Sequence, residues 1–408
     1  MTEPLRPHEP KQVEEAISWA LAQGKTLEVI GRGSKRAIGR AAQWDATLDL
    51  SELSGVTLYE PEELVLSAKA GTPLTQIEAL VAEKRQELAF EPMDYGALLG
   101  GEVGAGTIGG AIAANLSGPR RIKAGAARDH FLGFSAVSGR GETFKSGGRV
   151  VKNVTGYDLC KLMSGSWGTL AAMTDVTIKT LPKAETERSI LVCGPDAATA
   201  VKMMGAAMGS YADVSAAAHM PAAVAADVTE TASAGAAVTA LRLEGVAPSV
   251  EQRKSVLEKL LGSFGALAAL DEAASRALWR VIRDVTPFAA KGSRGGADIW
   301  RISTAPARGA EIGRVLADKA SGEILYDWAG GLLWAALPRS DDAQAPLIHA
   351  TVAAASGHAT LIRAPAAVRA KVAVFMPEPA PLAALTQRVR KGFDPQGVLN
   401  PGRMWAGV

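Results

Sequence analysis

Apolar residues recur at helical spacing from Val13 through Ala16, Ile17 and Ala20 to Leu21, with Pro10 suited to a first turn and Gly24 to an end. Beyond that helix the pattern predicts a strand at residues 26–30 that runs into a Gly-rich turn, and another at residues 64–70. Leu74, Ile77, Leu80 and Val81 then share one face of a second helix, with Thr72 as its cap and Pro73 in its first turn. Residues 131–137 and 142–145 flank Gly139-Arg140-Gly141 and read as a hairpin. The β-rich stretch 171–181 closes this first unit at Pro182.

Past Pro182 the texture changes. Alanine dominates residues 197–240, a helical pattern covers residues 250–261, and strand-like runs stand at residues 237–243, 298–303 and 332–337. A last helix at residues 382–390 leads into a turn-rich tail from Phe393 to Arg403, where Pro395 and Pro401 disfavour regular structure. No repeat of solenoid length is visible. The chain has 408 residues, more than one core usually serves, so the expected division is residues 1–182, residues 183–378 and a returning tail at 379–408.

Charge narrows the partners. Lys plus Arg (44) nearly cancels Asp plus Glu (42) with no long basic block, which argues against nucleic acid and an anionic membrane patch. Cys160 and Cys193 are too few for an iron–sulfur cluster or a disulfide scaffold, and no metal-ligand spacing occurs. A cytoplasmic protein is expected. Apolar runs are interrupted before the ~18 residues of a spanning helix, so another chain would have to bring this one to the inner membrane.

Glycine carries the candidate chemistry. Gly31-Arg32-Gly33-Ser34-Lys35 follows a strand and offers successive backbone N–H groups, the makings of an anion-binding nest, although such a turn is often only a turn. Between Gly96 and Gly118 glycines stand at 96, 100, 101, 104, 106, 109, 110 and 118, a density that suits close approach of backbone to a ligand. Gly104-Ala105-Gly106-Thr107-Ile108-Gly109 formally matches the dinucleotide fingerprint, with Asp129 about twenty residues on. That fingerprint needs a hydrophobic strand before it, and residues 97–103 contain Gly100-Gly101 and a charge. The better reading is a short helix after Thr107 whose free N–H groups face an anionic ligand.

Three blocks, in this order and spacing, resemble the FAD-binding domain of the vanillyl-alcohol oxidase or FAD-linked oxidase (PCMH-type) superfamily. They are Ile30 to Lys35, Thr107 to Gly118, and Val154-Thr155-Gly156-Tyr157-Asp158-Leu159 with Gly165-Ser166-Trp167-Gly168-Thr169-Leu170; the tail from Phe393 to Arg403 adds to them. Within the superfamily, residues 120–133, 152–159 and 327–334 look most like the smaller flavoprotein subunit of bacterial glycolate oxidase. The resemblance implies an α+β fold: a two-part FAD-binding domain followed by a second α+β, ferredoxin-like cap domain. It implies that Gly31, Arg32, Gly33, Ser34 and Lys35 cradle a pyrophosphate, and that Thr107, Gly109, Gly110, Ala113, Asn115 and Gly118 line the flavin and its diphosphate. Asp158, Gly168, Thr169, Ile178 and Asn400 complete the implied site, although Asp158 and Asn400 could equally cap local turns.

The departures from the family shape the expected function. Positions 31 to 39 hold neither His nor Cys, so the FAD is expected to be non-covalent. Relatives that oxidise 2-hydroxy acids directly carry a His-x-Gly-Asp-Gly-Asn-x-His stretch, which is missing; the nearest trace is His358 in residues 357–363, a candidate substrate contact beside Arg283. Trp167 also stands where those relatives have Glu. No catalytic residue is assigned. The expected role is a subunit in the oxidation of glycolate or a related 2-hydroxy acid to the 2-oxo acid. A second FAD-binding catalytic subunit and an iron–sulfur subunit are the implied partners. The alternatives are a stand-alone FAD-dependent 2-hydroxy-acid oxidoreductase and an assembly subunit whose flavin is not catalytic.

Overall fold

A computed structural model describes residues 4–149 and 156–406. The first amphipathic helix, Pro10–Ala22, buries Val13, Ile17 and Ala20, and Gly24 turns the chain away at φ 59°, a backbone region open to glycine at little cost. Strand β1 (Leu27–Ile30) pairs in parallel with β2 (Ala46–Asp49). This pair, the helix and Leu399 of the tail share a small core with Leu53, Val137 and Ala172.

The remaining strands of the first part are β3 (Val56–Glu60), β4 (Val65–Lys69), β5 (Gln86–Glu87), β6 (Phe131–Ser138), β7 (Thr143–Gly147), β8 (Ala171–Lys179) and β9 (Leu181–Pro182). Five of them form an antiparallel sheet in the order β3-β4-β8-β6-β7, and β5 pairs with β9. Strand β6 is buried along nearly its whole length because both faces are covered. Val137 turns to the core under the first helix, while Phe134 and Ala136 turn to the larger core with Ile77 and Ile112. The second helix, Leu74–Glu83, forms as expected, but its N-cap is Pro73. The Thr72 hydroxyl donates instead to the Lys69 carbonyl at 2.6 Å and accepts from the Gly55 N–H, tying strand ends together.

The second part is one eight-stranded antiparallel sheet. Its strands are β10 (Thr186–Cys193), β11 (Ala216–Met220), β12 (Val238–Gly245), β13 (Ala266–Leu270), β14 (Asp298–Ser303), β15 (Glu323–Asp327), β16 (Leu332–Leu337) and β17 (His358–Arg363), in the order β13-β10-β12-β11-β15-β16-β14-β17. Strand, helix, two strands, helix and strand recur twice in chain order. The expected single ferredoxin-like unit is therefore two such units side by side. They meet at one paired position, His219 opposite Tyr326.

Period-two alternation gives the sheet two unlike faces. Val238, Ala240 and Ile299 join the core shared with the first part, while Leu241, Leu243, Trp300 and Ile302 pack under the helices of the far face. Each fully buried Val, Leu or Ile side chain among them contributes about 1.5–3 kcal/mol.

Buried charges also cross between the parts. The Arg242 guanidinium grips Glu91 with bonds of 2.8 and 3.0 Å, and Arg120 reaches Glu244 at 2.7 Å as well as Glu87. Burial opposes the charged form of Glu91, yet Arg242 and Arg120 prevail and hold its carboxyl at about 2. No helix among the described residues is long and apolar enough to cross a membrane.

Candidate functional site

A cleft of about 670 Å³ opens where β1 ends. Its walls are the loop 31–35, the start of the Ile108–Ala113 helix, the Trp167-Gly168 turn and Arg403 of the tail. Loop and helix touch: a Cβ on Gly31 would lie 2.5 Å from Thr107 Oγ1. The Arg36 N–H closes the loop onto the Gly33 carbonyl at 3.0 Å, whereas the N–H groups of residues 32–35 have no acceptor among the described residues. Those N–H groups make the expected nest.

The helix start behaves differently from expectation. The Ile108 N–H donates to the Thr72 carbonyl, the Gly109 N–H to the Ala70 carbonyl, and the Gly110 N–H to Thr107 Oγ1 at 3.2 Å. Its first N–H groups are therefore already satisfied. Positive charge in the cleft comes from side chains instead.

Lys35 Nζ donates to Ser34 Oγ at 3.1 Å and has no carboxylate partner among the described residues; burial, with Arg403 beside it, lowers its pKa to about 8. Arg403 donates to the Lys35 carbonyl at 3.0 Å, its guanidinium lies 5.5 Å from the Trp167 ring centre, and its Nε is buried with no partner. Burial lowers Arg403 as well, to about 10. Two desolvated cations, an orphaned guanidinium nitrogen and an open nest suit a diphosphate, so the residues present fit the cofactor that the family implies. Among the described residues, no His or Cys lines this cleft.

Ala114 and Trp167 line the cleft on one side and a chamber of about 990 Å³ on the other. The chamber lies between the two parts of the molecule. Asn115, Arg121 and Arg128 come from the first part, and Arg301, Ser303, Trp328, His358 and Thr360 from the second. On β14 and β17 Arg301 stands opposite Thr360, and Ser303 opposite His358, so period two sends all four to one face. Although His358 is exposed at the chamber's edge, partial desolvation by the surrounding protein, then the charges of Arg301 and Arg121, lowers its pKa and favours the neutral imidazole.

Of the residues singled out in the sequence, Gly31, Arg32, Gly33, Ser34, Lys35, Thr107, Gly109, Gly110, Ala113 and Gly168 line the cleft. Asn115 and His358 line the chamber. Six others lie outside both. Gly118 is small because a Cβ would strike the Glu91 carbonyl at 2.6 Å. Asp158 caps the short Leu159–Met163 helix, accepting from the Lys161 N–H at 3.1 Å, and pairs with the Lys161 ammonium at the surface. Ile178 is a core residue of β8, and the Thr169 hydroxyl donates to the Ser166 carbonyl at 2.7 Å.

Arg283 is occupied by Asp284 through bonds of 2.9 and 2.8 Å and lines a separate polar crevice, so it clamps no substrate in the chamber. Asn400 does reach back from the tail, but to backbone. Its Oδ1 accepts from the Val29 N–H, and its Nδ2 donates to the carbonyls of Trp167 at 2.9 Å and of Val29 and Gly168 at longer range. Residues 150–155, including Val154 and Thr155 of the third block, lie outside the described residues.

Sequence reasoning missed Arg403 and Arg301. Arg403 carried a signal, a lone cation after the Asn400-Pro401-Gly402 turn. Arg301 carried only its alternation with Trp300 and Ile302.

The FAD binding domain family matches residues 4–147. The glycolate oxidase subunit GlcE of Escherichia coli (strain K12) is 31% identical over 396 residues, spanning 96% of this chain and 96% of that protein. The glycolate oxidase subunit GlcD of Bacillus subtilis (strain 168) is 42% identical over 85 residues, 21% of this chain and 18% of that protein. Among solved structures, 4-ethylphenol oxidase from Gulosibacter chungangensis superimposes with a TM-score of 0.72 at 12% identity, covering 98% of this chain and 89% of that one, a likeness of fold. The end-to-end match and the cationic cleft lead to one conclusion: the chain belongs to the family of FAD-dependent oxidoreductases that includes the glycolate oxidase subunit GlcE.

Proposed function

We propose that this protein is the smaller FAD-binding subunit of a glycolate-oxidase-type complex, taking part in oxidation of glycolate or a related 2-hydroxy acid to the 2-oxo acid. The observation that carries this reading is the similarity to GlcE along 96% of both chains. A larger flavoprotein subunit, of the kind the name GlcD denotes, and an iron–sulfur subunit are the proposed partners. Through them the chain, itself cytoplasmic, would reach the inner membrane.

Roles follow the chain in this reading. Residues 1–182 hold FAD, residues 183–378 cap it, and residues 379–408 clip the two loops of the cleft together. The nest at residues 32–35, Lys35 Nζ and Arg403 would hold the diphosphate, and Thr107, Gly109, Gly110, Ala113 and Gly168 would form the surface against which the cofactor lies. With neither His nor Cys in the cleft, the attachment is non-covalent. FAD, when bound, supplies the two-electron acceptor. The chain contributes binding, orientation and exclusion of water, and His358, kept neutral, stands ready to take a hydrogen bond from a hydroxyl.

Co-purification of tagged chain from its natural host, followed by absorption spectra of the isolated chain and the assembly, tests the proposal. The expected result is a yellow chain that releases unmodified FAD on denaturation and supports glycolate turnover only with its partners. A colourless chain that FAD does not reconstitute would overturn it.

A further inference from the structure

The chamber holds two guanidiniums, of Arg301 and Arg121, that the fold leaves without an ion pair among the described residues. Neither has a described carboxylate within ion-pair distance, and none of the described Asp or Glu residues lines the chamber. Both guanidiniums lie over the Trp328 ring instead, at 4.2 Å for Arg121 and 5.1 Å for Arg301. Stacking on an indole fixes the plane of a guanidinium and leaves its N–H edge free to donate.

The ring itself is firmly placed. Trp328 Nε1 donates to the Gly118 carbonyl at 2.9 Å, and the Trp328 N–H donates to Asp327 Oδ1 at 2.7 Å. Trp328 and Ala329 both take left-handed backbone, at φ 51° and 56°, a conformation costing about 1–3 kcal/mol per residue that collects at ligand clamps. Strain, stacking and unpaired charge thus converge on one spot. The charge of Asp327 acts on both guanidiniums, and that of Asp129 on Arg121, but neither carboxylate forms an ion pair with them, so two like charges lie together incompletely compensated and an anion that joins them is favoured.

We infer that the chamber is a carboxylate-binding site of this chain itself, in which Arg301 and Arg121 hold the carboxylate of a small 2-hydroxy acid and His358 faces its hydroxyl. The inference rests on the proposed function for the choice of acid, and it adds that this subunit meets substrate. Recognition is by guanidinium: among the described residues no group of three or more His, Cys, Asp or Glu is placed to hold a metal ion.

Titration calorimetry of the FAD-loaded chain with glycolate, and with neutral glycolamide, tests this. Glycolate should bind, glycolamide should bind at least tenfold more weakly, and a chelator should change neither. Arg301→Met should weaken glycolate at least tenfold while the flavin absorbance of the purified chain stays the same. Arg121→Met, at the chamber wall, should do likewise and decides the matter if the first variant does not fold.

Equal binding of glycolate and glycolamide, or loss of binding with the chelator, would overturn the inference. So would loss of flavin from both variants, which would assign the guanidiniums to the cofactor. Absence of glycolate binding by a yellow chain sinks this inference alone, whereas a chain that takes up no FAD sinks the proposed function.

Discussion

Asn400 Oδ1, on a fully buried side chain, accepts the Val29 N–H at 2.9 Å and so joins residues 371 positions apart. The same side chain donates to the Trp167 carbonyl, so one carboxamide sets the distance between the end of β1 and the Trp167-Gly168 turn. Asn400→Leu leaves those buried groups unpaired, at about 1–3 kcal/mol for each group stranded. Asn400→Asp should be the more damaging, because it sets a carboxylate against carbonyl oxygens. The expected outcome is a lower Tm for both variants and a smaller rise in Tm on adding FAD than the wild type shows; thermal melts with and without FAD measure it.

Lys35→Met and Arg403→Met remove the two desolvated cations of the cleft without touching a core. A charge-assisted hydrogen bond contributes about 1.5–3 kcal/mol, so each change should raise the Kd for FAD by roughly ten- to a hundredfold. Tm of the cofactor-free chain should barely move. Fluorescence titration of stripped protein with FAD gives the Kd; a single variant that leaves the Kd unchanged would remove that residue from the site, and a double variant no weaker than either single one would show that the two act as one coupled unit.

Neighbouring glycines should separate packing from binding. An alanine Cβ at Gly109 would sit 2.8 Å from the Ala70 carbonyl, which is backbone and cannot step aside. At Gly110 the same atom would meet Thr107 Oγ1 at 3.1 Å and the flexible Lys35 Nζ at 3.3 Å. Gly109→Ala should therefore lower Tm with or without cofactor, and Gly110→Ala should fold normally and bind FAD more weakly.

Two carboxyls give opposite pH dependences. Glu91 is held near 2, below its ordinary 4.5, by Arg242 and Arg120, so its contribution is complete above pH 4.5 and is lost as pH falls toward 2. Asp327 is pushed up to about 7 from 3.8, chiefly by burial, so its contribution is complete below pH 3.8 and is lost as pH rises through 7. Urea unfolding from pH 3 to pH 9 should show Glu91→Gln flattening the acid limb, and Asp327→Asn, which keeps the acceptor for the Trp328 N–H, flattening the decline between pH 4 and pH 8.

The sequence displayed those elements whose pattern has a single reading. Residues 298–303 and 332–337 are strands as drawn, the helix after Thr107 is Ile108–Ala113, and the loop 31–35 stands at the mouth of the cleft. Contacts set by distant chain stayed hidden. Nothing local says that the Ile108 and Gly109 N–H groups will be taken by Thr72 and Ala70, or that Gly118 is small because of Glu91. Asp158 followed by a helix looks alike whether it caps that helix or meets a ligand. The doubled cap was illegible because its two units share an order of strands and helices without sharing residues.

That doubling separates two tasks along the chain. Arg242 and Glu244, which form the buried latch to the first part, belong to the first unit, and Arg301, Ser303, Trp328, His358 and Thr360 of the chamber to the second. The units share one rung of pairing. Substitutions that retune which acid is recognised can therefore accumulate in the second unit while the first keeps its grip on the flavin domain, an arrangement that lets specificity drift without loosening the assembly.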